Sequence, residues 1–177
     1  MKRKLTLIAL ALTVIMMIGL GFAWVANQPN EEADVQTRTY NFLIEKGFNP
    51  IQASGILAAA KQNSNMDCTA VSIPDGECYG LFQWTYVRLE NLKQFAEENG
   101  KMVEELDTQL SFMVEELNTE SKYYIGDFPY RGFEWSEFWE AKTPAEAAKT
   151  FNMVYSRPAC NVSALGDWAE EIHKQYN

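Results

Sequence analysis

Hydrophobic residues follow two different patterns along this chain. Residues 5–25 form a predominantly apolar run of 21 residues without a charge, directly after Lys2, Arg3 and Lys4. At about 1.5 Å per helical residue, such a run is roughly 31 Å long, which matches the thickness of a hydrocarbon core. We therefore predict a single-pass anchor in the cell membrane over residues 1–26, with the basic residues in the cytoplasm and residue 27 onward outside.

A cleaved signal peptide is the alternative for this run. The apolar region of a signal peptide is usually about 7–15 residues long and ends at a small-x-small cleavage site. The corresponding residues here are Ala23-Trp24-Val25-Ala26, and Trp24 suits an interfacial anchor better than a peptidase site. Both hypotheses export the rest of the chain.

Beyond a polar linker at residues 27–35, apolar residues recur at helical spacing over an exported domain of residues 36–177. The pattern predicts helices at about 34–46, from Pro50 onward, at 85–99, at 106–117, at 144–155 and near 168–176. Asn49 and Thr143 have the sequence of N-caps, each followed by proline. A loop at about residues 63–79 includes the turn Pro74-Asp75-Gly76. No alternating run of strand length appears, so the predicted class is mostly α.

The charge balance narrows the set of partners. The chain has 15 Lys and Arg against 24 Asp and Glu, and since three of the cations flank the anchor, the exported part has a net charge of −12. This balance argues against a nucleic-acid partner, because phosphate binding needs a basic face. His173 is the only histidine, and no zinc spacing or phosphate-binding loop is present. We therefore predict no metal and no cofactor.

Three cysteines lie in the exported part. Cys68 and Cys78 flank the long loop, and the compartment outside the membrane permits disulfides. A bridge between them would stabilise the fold by roughly 2–3 kcal/mol in the chain-entropy model. We predict this bridge, with two reduced, buried thiols as the alternative. The sequence assigns no role to Cys160.

Four segments in order carry a family resemblance. They are SGILAAAKQNS at 54–64, YGLFQW at 79–84, LDTQLSFMVEEL at 106–117 and TPAEAAKTFNMVYSRP at 143–158. Over residues 36–177 the chain resembles the phage-tail-type lysozyme family, within the lysozyme-like group of peptidoglycan glycan-cleaving domains. In that family, a helix ending in Gln-Glu-Ser precedes the Tyr-Gly-Leu-x-Gln-Trp segment, and the last signature ends in Glu-Arg-Pro. The resemblance implies a lysozyme-like helical domain and a glycan substrate.

Two positions depart from the family pattern. The catalytic glutamate of the family falls on Asn63, and the glutamate of the last signature falls on Ser156. Glycoside cleavage needs a carboxylic acid that protonates the leaving oxygen, and an amide has no such proton to give. Losing a general acid typically costs about 10²–10⁴ in rate. The resemblance therefore implies glycan binding, with cleavage of the MurNAc-GlcNAc bond lost or weakened. The sequence does not separate natural loss from engineering at Asn63.

Another carboxylate is an alternative source of the proton. Glu77 is the first candidate, because it borders the segment at 79–84 that is expected to line the cleft. A solvated turn charge is the other interpretation of Glu77, since loop acids are usually exposed. Asp67 and Asp75 lie in the same loop.

The resemblance also implies substrate-binding positions, which are Ser64, Tyr79, Gln83, Trp84 and Tyr155. For Gln83 the alternative is a hydrogen bond within the loop, and for Tyr79 and Trp84 it is packing in the core. Eight aromatic residues at 121–140 are typical either of a sugar-stacking wall or partner surface, or of a core under a long connection.

Three functions follow from these patterns. The first is a membrane-anchored domain that binds peptidoglycan glycan strands, with an envelope-spanning secretion or conjugation complex as a further partner. The second is an active muramidase that uses a relocated acid at Glu77. The third is a non-catalytic protein-interaction scaffold that retains the fold.

Overall fold

Helices make up most of this computed structural model, which describes residues 31–72, 78–158 and 164–177. The α-helices are α1 (Glu31–Glu45), α2 (Pro50–Ser64), α3 (Tyr86–Glu98), α4 (Leu106–Leu117), α5 (Trp135–Trp139), α6 (Pro144–Phe151) and α7 (Leu165–Tyr176). A π-helical turn, Asn152–Ser156, continues α6. Strands β1 (Cys78–Tyr79) and β2 (Trp84–Thr85) form an antiparallel hairpin. The predicted mostly α class is confirmed for the described residues.

Two helix starts follow the capping signals in the sequence. The Asn49 side chain accepts a hydrogen bond from the Gln52 backbone N–H at 2.9 Å, and the Gln52 side chain accepts one from the Asn49 N–H at 3.0 Å. Thr143 and Glu146 form the same reciprocal arrangement at the start of α6. Thr85 precedes α3 but its side chain makes no capping bond. Capping residues thus fix where α2 and α6 begin.

The centre of the fold is α2. All nine residues from Gln52 to Ala60 are buried, so this helix is covered on every side and packs against both α6 and α7. Close packing requires the absence of a side chain at Gly55, because a Cβ atom there would lie 2.6 Å from the Ala148 backbone nitrogen. The buried α2 therefore holds Asn63, in its last turn, in a fixed position relative to α6.

A buried glutamine on α4 fixes the hairpin. The Gln109 side chain accepts a hydrogen bond from the Leu81 N–H at 2.8 Å and donates to the Cys68 carbonyl at 2.7 Å and the Val103 carbonyl at 2.8 Å. Gly80, with φ +72°, lies so close that a Cβ would be 2.6 Å from Gln109 Oε1. This one side chain therefore ties together three loop segments, one of which is the hairpin turn that contains Gln83.

The predicted disulfide is not formed, and this corrects the sequence prediction. Cys68 and Cys78 are both free thiols. The loop pairs Val71 with Tyr79, so Cys78 lies opposite Ser72 and not opposite Cys68. Neighbouring residues on a strand face opposite sides. Cys78 lines a cavity that Cys68 does not line.

Some predictions fall outside the described residues. These include the anchor at residues 1–26 and any role of Cys160. Among the described helices, none is both long enough and apolar enough to cross a membrane. Residues 35–177 form one compact unit.

Candidate functional site

A cavity of about 540 Å³ lies where the last turn of α2, the hairpin, the start of α3, residues 122–125 and the π-helical turn meet. Its lining residues are Asn63, Cys78, Gln83, Thr85, Val87, Arg88, Asn91, Lys122, Tyr123, Tyr124, Ile125, Ser156, Arg157 and Pro158. The described lining residues of the cavity come from four separate stretches of the sequence, at 63, 78–91, 122–125 and 156–158. The wall includes Asn63 and Ser156, the two positions at which the resemblance places a glutamate and this chain has none.

Asn63 and Ser156 contact each other at the wall of this cavity. The Asn63 Nδ2 donates to Ser156 Oγ at 3.1 Å, to the Ala59 carbonyl at 2.7 Å and to Asn152 Oδ1 at 3.3 Å. The two positions are 93 residues apart in sequence. An amide and a hydroxyl therefore occupy the place where two carboxyl groups would be neighbours. Neither group is a general acid near neutral pH.

The π-helical turn determines where Ser156 lies. The Arg157 N–H donates to the Asn152 carbonyl at 3.0 Å, the i to i+5 spacing of a π-helix, and Arg157 then adopts a left-handed conformation with φ 52° and ψ 54°. Single-turn π-helices occur frequently at functional sites. The sequence pattern predicted one continuous helix from 144 to 155, so the change at Phe151 is a correction.

Gln83 lines the cavity and also holds its own loop. Its Nε2 donates to the Gly80 carbonyl at 2.9 Å and to the Ala70 carbonyl at 3.2 Å, and its backbone has φ 55°. The loop hydrogen bond that we considered as an alternative is therefore present. Its Oε1 accepts no hydrogen bond from the described residues, which leaves that oxygen available to an amide or hydroxyl of a ligand.

Two of the implied substrate-binding residues are in the core instead. Trp84 is 1% exposed and Tyr155 has no exposed surface. Both donate to Glu116 Oε2, Trp84 from Nε1 at 2.8 Å and Tyr155 from its hydroxyl at 2.5 Å. The aromatic rings pack against Phe82 in edge contacts. Trp84 therefore packs in the core, which is the alternative that the sequence left open for it, and Tyr155 is fully buried beside it.

Glu116 is the buried acceptor that the sequence analysis did not single out. It also receives two hydrogen bonds from Arg88, Nε to Oε1 at 2.7 Å and Nη2 to Oε2 at 2.8 Å. Burial alone would lower the pKa of Arg88, but the hydrogen bonds to Glu116 outweigh it and the pKa is raised. Burial and the charge of Glu116 raise the pKa of Tyr155 well above its ordinary value. The spacing of 28 residues between Arg88 and Glu116 gave no local signal for this pair.

Ser64 and Tyr79 do not line the cavity. The Ser64 Oγ lies 3.1 Å from the Ala60 carbonyl and 3.0 Å from the Leu81 carbonyl, so its single proton is shared within the fold. Tyr79 is half-buried against the core, and burial, followed by the nearby charge of Glu104, raises its pKa. The structure gives both residues a place in packing rather than in the cavity.

The aromatic segment at 121–140 divides between the two interpretations. Tyr123 and Tyr124 line the cavity, with Tyr123 itself only 6% exposed. Trp135 and Phe138 are buried in the core, and Phe128 is 70% exposed. The first part of the segment therefore lines the cavity, and a later part packs in the core.

Glu77, the candidate for a relocated acid, lies outside the described residues, as does Asp75. Asp67 is exposed and accepts hydrogen bonds from the backbone and side chain of Thr69, both at 2.7 Å. Asp67 is not part of the cavity wall. Among the described residues, no group of three or more His, Cys, Asp or Glu side chains forms a metal site.

Comparison with known families places the whole described domain in one group. The model of the phage tail lysozyme family matches residues 34–176, about four fifths of the chain. A search of curated proteins gave no match. The matched range includes every residue of the cavity wall.

Proposed function

As a member of the phage tail lysozyme family, this chain has a lysozyme-like domain, and we propose that the domain binds peptidoglycan glycan strands in the cavity beside Asn63 and Ser156. Cleavage of the MurNAc-GlcNAc bond is lost or weakened. The observation that carries this proposal is the direct contact of Asn63 with Ser156 at the cavity wall, at 3.1 Å. Both positions hold groups that hydrogen-bond but do not supply a proton.

The described cavity wall supports binding better than acid catalysis. Its hydrogen-bonding groups include the Gln83 side-chain oxygen, the Thr85 hydroxyl and the Asn91 amide, and Tyr124 adds an aromatic surface. Hydroxyl and N-acetyl groups of a glycan are partners for such groups. None of the described lining residues is an Asp or a Glu. The wall therefore has groups that position a glycan and lacks a described carboxyl group that protonates one.

The test restores the acid at its family position. In Asn63→Glu, a carboxyl group stands at the cavity wall, at the position where the family has its catalytic glutamate. We expect clearing of a peptidoglycan suspension by Asn63→Glu, and no clearing by the matched variant Asn63→Gln, which has the same length but no acid. We expect the unaltered chain to co-sediment with insoluble peptidoglycan without clearing it.

Other outcomes separate the competing functions. Failure of the unaltered chain to co-sediment with peptidoglycan contradicts the proposal and favours the protein-interaction scaffold. Clearing by the unaltered chain that disappears in Glu77→Gln contradicts the loss of cleavage and favours a relocated acid. Clearing that survives in Glu77→Gln also contradicts that loss, without supporting Glu77.

We also propose that residues 1–26 hold the domain at the outer face of the cell membrane, where an envelope-spanning secretion or conjugation complex is its further partner. The length of the apolar run and its basic flank support this location. Membrane fractionation with N-terminal mass analysis tests it. Release of a domain that begins near residue 27 would show a cleaved signal instead.

A further inference from the structure

Three of the described residues that line the cavity are basic, namely Arg88, Lys122 and Arg157. This is unexpected in a domain whose net charge is −12 outside the anchor. The described part of the same wall contributes no carboxylate. The described wall therefore has basic but no acidic side chains, and a ligand can bind only to a cation that has no carboxylate partner of its own.

Two of the three cations are already neutralised. Arg88 is bound by both oxygens of the buried Glu116. Lys122 donates to both oxygens of Glu98, at 2.6 and 2.7 Å. Each of these basic side chains has its own carboxylate partner within the fold, so neither presents a free charge to the cavity.

Arg157 differs from both. Its Nε donates to the Val154 carbonyl at 3.2 Å, and its guanidinium lies 5.6 Å from the centre of the Tyr130 ring. Within the described part of the chain, it forms no ion pair, and its two terminal nitrogens donate no hydrogen bond. The backbone hydrogen bond to Asn152 at the end of the π-helical turn fixes its position. Arg157 is exposed, and with its Nε held by the Val154 carbonyl, its two terminal nitrogens are available as a forked pair of donors as far as the described residues are concerned.

We propose that Arg157 binds a carboxylate of the ligand. The cavity then prefers glycan strands that carry carboxylates over a neutral polymer of N-acetylglucosamine with the same β-1,4 backbone. This inference rests on the proposed function and names its substrate class more closely. The carboxylate has two possible sources, the lactyl group of N-acetylmuramic acid and the acids of the stem peptide, which share the same chemistry.

The test compares three soluble glycans of equal length on the full purified chain by calorimetry. They are strands without peptide, which have free lactyl carboxylates, strands with stem peptides, and neutral chitooligosaccharides. We expect Arg157→Gln to lose about fivefold in affinity for the acidic ligands at low ionic strength, the effect of one partly exposed ion pair. Its affinity for chitooligosaccharides stays unchanged, which also shows that the variant is folded.

Arg131→Gln is the matched control. Arg131 also has a left-handed backbone, with φ 51°, and its guanidinium lies over the same Tyr130 ring at 5.2 Å, but it does not line the cavity. We expect this variant to keep the preference for acidic glycans although it loses the same charge. Arg157→Lys keeps a charge without the fork and retains part of the preference.

Several results overturn this inference. One is equal affinity of the unaltered chain for neutral and acidic glycans, and another is an equal loss in Arg131→Gln and Arg157→Gln. Preference for only one of the two acidic ligands identifies which carboxylate Arg157 binds. Failure of all three glycans to bind refutes the proposed function itself, and so is distinguished from failure of the role of Arg157.

Discussion

Glu116 allows a quantitative prediction, because a single buried carboxylate accepts four hydrogen bonds. The donors are Trp84 Nε1, the Tyr155 hydroxyl, and Nε and Nη2 of Arg88. In Glu116→Gln, one side-chain oxygen remains, and the other is replaced by an NH2 group, which cannot accept a hydrogen bond from the surrounding donors. Arg88 then keeps a charge in the interior without a carboxylate. Breaking a fully buried ion pair in this way costs about 3–5 kcal/mol of unfolding free energy. Because the Arg88 side chain is 22% exposed, we expect the lower end of this range, about 3 kcal/mol.

Thermal and urea denaturation followed by circular dichroism measure this loss. For a domain of this size, each kcal/mol lowers the melting temperature by about 3 °C, so a loss of about 3 kcal/mol is expected to lower the melting temperature of Glu116→Gln by about 9 °C. The neighbouring half-buried Glu115 is outside the network, and Glu115→Gln is expected to change stability by less than about 0.5 kcal/mol.

A second substitution separates the ion pair from simple packing. Adding Arg88→Met to Glu116→Gln removes the unpaired buried charge and leaves the glutamine oxygen for Trp84 and Tyr155. The double variant is therefore expected to be more stable than Glu116→Gln alone. If the two substitutions are additive, with Arg88→Met lowering stability further, the argument from an uncompensated charge is refuted.

Three further predictions concern packing and titration. Gly55→Ala brings a Cβ within 2.6 Å of the Ala148 nitrogen, so urea denaturation is expected to show a loss of about 1–3 kcal/mol from overpacking; an unchanged midpoint would contradict this. Burial, with Asp67, raises the pKa of Cys68 to about 11, so at pH 8 it has about 100-fold less thiolate than a thiol at the reference value of 9.0. Peptide mapping is therefore expected to show slow alkylation of Cys68 by iodoacetamide, and rapid labelling would contradict its burial. The hydrogen bond from Lys122 lowers the pKa of Glu98 to about 2. This pair therefore stabilises the fold fully at pH values above the ordinary pKa of glutamate, and the stabilisation is lost as the pH falls towards 2. In Lys122→Met, an NMR titration is expected to show the pKa of Glu98 rising, and no rise would count against the pair.

Local signals in the sequence were sufficient for much of the helical framework. Asn49 and Thr143 predicted the starts of α2 and α6, because an N-cap acts on the three residues that follow it. The hairpin has two residues in each strand and therefore has no alternation that a pattern detects. Helix α5 has five residues and is too short to show a helical period.

The candidate site was predictable only in part, for a related reason. The resemblance drew attention to Asn63 and Ser156, and these two residues contact each other in the structure. It gave no account of which face of Trp84 or Tyr155 is buried, because that depends on packing against residues 30 to 70 positions away. The predicted disulfide between Cys68 and Cys78 was wrong for the same reason. It was inferred from the separation of the two residues along the chain, whereas strand register decides which residues lie opposite each other.

The buried network also bears on whether any described acid replaces the one absent at Asn63. Among the described residues, Glu116 is the only buried Asp or Glu. It contacts Arg88, which lines the cavity. Both of its oxygens accept hydrogen bonds, two of them from a guanidinium, and it has no exposed surface. A general acid must have a proton and reach the leaving oxygen within about 3 Å or through one water. Glu116 has no exposed surface and its oxygens are occupied by donors of the fold, so it does not reach a leaving oxygen and instead positions Arg88 and the hairpin. Substituting Glu116 is therefore expected to lower stability without altering the absence of clearing, whereas Asn63→Glu is expected to produce clearing.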